Sequence, residues 1–259
     1  MTTLKEAPLI EAIFEIRWGK YILQPNKPIE FHFSPEDTDF FPGQFRSEAN
    51  SNGFAVIEHV NPDYPLLPHI VKYRFRRKEN TWPCYQVGLG VMTVNQLNEG
   101  YDWGVFKKDI LTGLEMLEKG HPFGLEKLPS SGIELRYHDG FFLEEGETPS
   151  QFLNNKLNIV FSPHEGFLKS PNLEKNLQGN KLTFSVKSIR PKGLVIINLV
   201  ESLINGRPGF VMETIVRSPD ESKPIYQKDV LSGWLDEAHD LQKHAFNTLI
   251  EPTYFKSFK

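Results

Sequence analysis

Three short stretches of this chain recur in the same order at almost constant spacing. Glu15-Ile16-Arg17-Trp18 reappears as Glu134-Leu135-Arg136-Tyr137, an offset of 119. Val91-Met92 reappears as Val211-Met212, and Lys108-Asp109-Ile110-Leu111-Thr112-Gly113 as Lys228-Asp229-Val230-Leu231-Ser232-Gly233, both at an offset of 120. Self-similarity at a fixed period marks a duplicated structural unit. It predicts two tandem β-rich repeats, 1–125 and 126–259, each closed by an amphipathic helix. Halves of that size bury little apolar surface alone, so they are expected to pack as one globular unit. The expected fold is α+β: an antiparallel sheet packed by helices, with a pseudo-twofold axis between the repeats.

The hydropathy pattern supplies the elements. In Pro8–Trp18, Phe14, Ile16 and Trp18 alternate with Glu15 and Arg17, the period of a half-buried strand. Residues 24–68 hold seven of the 19 prolines and read as turns with short strands at Ile29–Phe33 and Phe54–His59. Ile70–Arg77 and Tyr85–Leu97 read as a hairpin joined by Lys78–Pro83. Asp102–Glu118 reads as a helix: Trp103, Phe106, Ile110, Leu114 and Leu117 recur every three or four residues, Asp102 caps the start and Gly120 ends it. A strand follows at Ile133–Leu143, then a short helix at Thr148–Leu157 with Thr148 as cap and Pro149 in the first turn. Lys181–Ser188, Leu194–Leu203 and Phe210–Ser218 read as strands. Residues 226–250 form the longest helix, with Val230, Trp234, Ala238, Leu241, Ala245 and Leu249 as its apolar stripe and Glu251-Pro252 as its stop.

Charge narrows the function classes. The chain has 259 residues, 29 Lys+Arg against 33 Asp+Glu, and a net charge of −4. The first repeat carries 13 basic and 16 acidic residues and the second 16 and 17, so neither is a basic nucleic-acid module. A single cysteine, Cys84, excludes an intrachain disulfide and suits a cytoplasmic location. Cys84 itself reads as a packing residue. No apolar run approaches the ~20 residues of a spanning helix, and the N-terminal segment lacks the apolar region of a signal peptide.

Familiar chemical motifs are missing from the sequence. Gly88-Leu89-Gly90 lacks the third glycine and the following helix of a dinucleotide loop, and reads as a bulge in a strand. No His or Cys spacing matches a metal site, so neither a metal nor a cofactor is expected. His239 and His244, five apart, read as solvated helix residues, and His138-Asp139 before Gly140 as a turn. Two groups stand out as candidate sites. Glu15 and Arg17 share one face of their strand, as do Glu134 and Arg136, and the four could meet as an inter-repeat charge cluster. Paired guanidinium groups also suit a carboxylate or phosphate. Lys72, Arg74 and Arg76 line one face of a strand with Tyr73 and Phe75 behind, a candidate anion or nucleic-acid site. Trp18, Tyr21, Tyr64 and Tyr101 lie at element ends, where exposed aromatics can mark an interface.

The opening Ala7-Pro8-Leu9-Ile10-Glu11-Ala12-Ile13-Phe14-Glu15-Ile16-Arg17-Trp18, the Tyr85–Asn95 strand and the helix after Trp103 together resemble a sporadically distributed prokaryotic family of uncharacterised proteins of about 250 residues. The resemblance spans the whole chain but carries no catalytic residues. Patchy distribution implies an accessory system such as phage defence or a mobile element. The expected function is a non-catalytic, cytoplasmic protein-binding component. An anion or nucleic-acid binder using strand 72–78 and an enzyme with a site between the repeats are the alternatives. A protein partner is expected, and homo-oligomer formation is compatible with the sequence.

Overall fold

Period-two alternation sorts the strand residues onto two faces of one antiparallel sheet. The computed structural model describes all residues except 1–7, 23–29, 61, 129, 161–165, 167–168, 173–179, 220–227 and 259. Residues 226–227 of the expected last helix and Ile29 of an expected strand therefore lie outside the described residues. The strands are β1 (Leu9–Trp18), β2 (Lys20–Ile22), β3 (Glu30–His32), β4 (Val56–His59), β5 (Val71–Arg76), β6 (Cys84–Gly88), β7 (Val91–Leu97), β8 (Ser130–Phe142), β9 (Lys181–Ile189), β10 (Lys192–Ile204) and β11 (Arg207–Arg217). The helices are α1 (Phe41–Ser51), α2 (Trp103–Gly120), α3 (Gly124–Lys127), α4 (Pro149–Lys156), α5 (Lys228–Leu249) and α6 (Pro252–Lys256).

Among the described residues the main sheet has nine strands in the order β4-β5-β6-β7-β1-β8-β11-β10-β9, and β2 pairs with β3 in a separate ribbon. Every pairing within the main sheet is antiparallel. β1 and β8 are neighbours, and Glu15 stands opposite Glu134. The recurrent sequence pairs take different registers. Val91 faces Arg17 of β1, whereas Val211 faces Gly140 of β8. Ile110 is fully buried, but Val230 is 52% exposed.

Along β1, Ala12, Phe14, Ile16 and Trp18 are all buried on the face that the helices cover. They join Phe45, Phe75, Tyr85, Met92, Phe106, Leu135 and Trp234 in one apolar cluster. A second cluster gathers Phe141, Phe152, Leu199, Phe210, Met212 and Phe246. α2 and α5 lie over the central strands, and α1 packs on α2.

The Tyr85–Leu97 segment is two strands, not one, and the Gly88-Leu89-Gly90 stretch is their turn rather than a bulge. Gly90 has φ +71°, and a Cβ there would meet the Trp18 carbonyl oxygen at 2.5 Å, so glycine is required. Within 24–68, α1 appears where only turns and short strands were expected. Its signal is Phe41, Phe45 and Ala49, spaced every four residues and buried, with Pro42 in the first turn. His138-Asp139 lies inside β8, because pairing on both sides overrides local turn propensity. On α5 the buried face is Leu231, Trp234, Leu235, Ala238, Gln242 and Phe246, shifted from the expected stripe. Thr148 caps α4 in a capping box with Gln151, and Asp102 caps α2 by accepting from the Val105 amide.

Candidate functional site

The sheet face turned away from the helices carries the repeated Glu-x-Arg pairs. Antiparallel partners share a face, so Glu15, Arg17, Glu134, Arg136, His138, Glu213 and Arg217 meet there across β1, β8 and β11. Each arginine first finds the glutamate of its own strand: Arg17 to Glu15 at 2.6 Å and Arg136 to Glu134 at 2.7 Å. Arg217 adds a second bond to Glu134 at 2.5 Å. His138 Nε2 lies 3.0 Å from Glu213, and the Asn198 amide donates to Glu213 at 2.6 Å. Burial pushes the Glu134 carboxyl up, but the hydrogen bond from Arg136 and the nearby Arg217 and Arg17 outweigh it and hold it below the usual range. The His138 hydrogen bond, with Asn198 and Arg136, brings Glu213 down to about 2 against the effect of burial. The four residues read from the repeat thus come together, and their charges are matched within the sheet.

The basic strand is not a bare cationic stripe. Lys72 Nζ donates to the carbonyls of Pro62 at 3.0 Å and Tyr64 at 2.6 Å. Arg74 Nε donates to Gln86 at 2.8 Å. Arg76 is buried, 2.9 Å from Glu58, donates to the Thr81 carbonyl and covers the Trp82 ring. A phosphate would have to displace these partners. The sequence could not reveal them, since Glu58, Gln86 and the loop carbonyls arrive from other segments.

Against the first apolar cluster, on the helix-covered side of the sheet, several polar groups come together. Tyr101 and Tyr137 hydroxyls are 2.7 Å apart, and Tyr137 Oη lies 3.0 Å from His239 Nδ1. The His239 ring stacks on Trp103 with centroids 4.2 Å apart. His239 is therefore not a solvated helix residue, and burial lowers its pKa to about 4, which keeps the imidazole neutral at pH 7. Asp139 is 3% exposed, and burial pushes its carboxyl up to about 7. Among the described residues, Asp139 Oδ2 and Thr214 Oγ1 have no hydrogen-bond partner. Tyr101 belongs to these polar groups and Trp18 to the core, while Tyr64 is 67% exposed. The side chain of Tyr21 lies outside the described residues.

A third feature lies at one end of the sheet. β4 is an edge strand, and one flank of α1 faces its start across a groove. The groove, of about 260 Å³, is lined by Gly43, Arg46, Ser47 and Asn50 of α1, by Ala55 just before β4 and by Ile57 within it. The α1 residues fall at i, i+3, i+4 and i+7, one helical face. The buried Phe41, Phe45 and Ala49 occupy the opposite side and fix the helix on the core. The Phe54 amide donates to the Ala49 carbonyl at 2.9 Å, holding helix and strand at their junction. Sequence reading missed this site because it missed α1.

Cys84 is buried, and burial drives its thiol up to about 11. Alkylation by iodoacetamide at pH 8 is expected to run at least roughly 100-fold slower than in the unfolded chain. Equal rates would show that the strand opens readily. Among the described residues no group of three or more side chains is placed to hold a metal ion, and no helix is long and apolar enough to cross a membrane.

Together these observations define an antiparallel α+β protein with one helix-covered sheet face, a charge-matched opposite face and a groove at one sheet edge. Comparison with protein-family models, curated proteins and solved structures finds no match for this chain.

Proposed function

We propose that the protein is a non-catalytic protein-binding component of a prokaryotic accessory system, working in the cytoplasm. The observation that carries the binding reading is the groove between α1 and the edge strand β4. An edge strand offers unpaired backbone groups to any chain that can reach them, and soluble proteins usually blunt such edges with Pro, Lys or a covering segment. β4 is short, but Val56-Ile57-Glu58-His59 contains neither Pro nor Lys, and its one charged side chain, Glu58, is held 2.9 Å from Arg76. A helix facing it across a groove adds side-chain contacts to that backbone template, the arrangement by which many domains take up a partner's strand. The accessory-system part rests on the resemblance to the patchily distributed family.

The two segments 1–125 and 126–259 are, in this reading, fused copies of one unit. The strand order supports it: β7, β6 and β5 follow β1 on one side as β11, β10 and β9 follow β8 on the other. The different registers of Val91 and Val211 count as later drift of the second copy.

Co-expression with the products of neighbouring genes, followed by gel filtration, tests the reading. A stable complex with one of them is expected in the wild type and is lost in Ala55→Pro. A complex that survives this substitution, or the absence of a complex with every neighbour, removes the proposal.

A further inference from the structure

Resting on the protein-binding reading, we propose that the α1–β4 groove takes an extended acidic peptide segment as an added strand of the sheet. The backbone register gives the first reason. The Val60 amide donates to the Lys72 carbonyl at 2.9 Å, so position 60 directs its backbone groups toward β5. Alternation then turns positions 58 and 56 toward β5 as well, where Glu58 pairs with Arg74 and Val56 with Arg76. Ala55, Ile57 and His59 turn their N–H and C=O groups the other way, to the open edge. At about 6.8 Å per residue pair, these three positions offer roughly 14 Å of template, enough for five peptide residues.

The helix supplies the second reason. Side chains on one face of an added strand would project toward Gly43, Arg46, Ser47 and Asn50. Arg46 is exposed and makes no ion pair or hydrogen bond among the described residues. The other helix side chains lining the groove, Ser47 and Asn50, are neutral, so among the described residues the groove lining carries one positive charge and no acidic side chain. A carboxylate on the incoming strand meets that guanidinium in a partly desolvated setting. Gly43 leaves open space, with nothing within 4 Å of the point where a Cβ would lie, and this admits a larger side chain at the next inward position. A basic segment would be repelled by Arg46, which gives the groove discrimination as well as affinity.

A phage-displayed library of random heptapeptides, panned against the full chain and its variants, tests the proposal. On the wild type, enriched sequences are expected to carry Asp or Glu at one fixed position. Ala55→Pro removes an outward N–H while leaving the bonds to β5, and Gly43→Phe fills the groove. Both are expected to cut retention of the enriched phage at least about tenfold, with thermal midpoints unchanged. Arg46→Glu is expected to shift the enrichment to Lys or Arg. Enrichment without an acidic preference, lost in Ala55→Pro, overturns the acidic partner while the strand-addition reading stands. Enrichment unchanged in both Ala55→Pro and Gly43→Phe, or none at all, overturns the groove as the binding site.

Discussion

Asp37→Ala is expected to lower the unfolding free energy by about 3–5 kcal/mol at pH 7. Asp37 is buried, and its carboxylate serves four donors or potential donors. The Trp18 indole donates to it at 2.8 Å, the Ser34 amide and hydroxyl each at 3.0 Å, and His121 Nε2 lies at 3.0 Å. Trp18 and His121 are themselves buried, so losing the carboxylate leaves their polar atoms without water and without a partner. The same cluster ties the short π-helical segment Glu36–Phe40 to the end of β1 and the end of α2, and thereby sets the start of α1. Burial pushes the Asp37 carboxyl up, but the His121, Ser34 and Trp18 hydrogen bonds prevail and bring it down to about 2. A carboxyl depressed in the folded state stabilises above its unfolded value near 4 and loses that contribution as pH falls toward 2. Wild type should therefore lose about 2 kcal/mol over that interval that the alanine variant does not. Urea unfolding at pH 7 and at pH 2 measures both effects. A loss under about 1 kcal/mol at pH 7 would mean that the cluster is not what anchors this corner of the fold.

Asp139→Asn is expected to act in the opposite direction. Its folded carboxyl titrates near 7 against an unfolded value near 3.8, because burial penalises the charge. A raised carboxyl binds its proton more tightly when folded. Its contribution is complete below about pH 4, falls as pH climbs to 7 and is gone above. The difference amounts to about 4 kcal/mol across that range. Asparagine has no proton to lose, so the variant should show a flatter profile from pH 5 to pH 8. Above pH 7 it should be the more stable protein by about 2 kcal/mol, the unpaired amide hydrogens offsetting part of the gain. The Tyr101 and Tyr137 hydroxyls feel this carboxyl electrostatically and stay neutral throughout the range, because burial raises both. Parallel urea titrations of wild type and variant decide the matter. Identical slopes with pH would mean that water or a counter-charge reaches Asp139.

Some elements were legible in the sequence because their signals are local. Phe14, Ile16 and Trp18 alternate with charged residues whatever surrounds them, and β1 forms as read. Asp102 before Trp103, and Thr148 before Pro149 with Gln151 beyond, are caps whose partners lie within three residues, and both helices start there. α1 was hidden because prolines and polar residues dominate its neighbourhood, and three apolar positions make too thin a stripe to outweigh them. His239 was misread because its partners, Trp103 and Tyr137, lie more than 100 residues away.

The amino-acid order alone determined that this chain makes strands ending in capped amphipathic helices, and that its charges alternate into pairs. Those outcomes depend on neighbours within one or two turns. The tertiary structure alone decided that Glu15 stands against Glu134, that Lys72, Arg74 and Arg76 are already engaged, and that Asp139 is enclosed beside two tyrosines. It also decided that α1 and the start of edge strand β4 enclose a groove. Each of these depends on which distant segments pack together, and packing follows from the total surface the chain can bury, a quantity no short stretch of sequence contains.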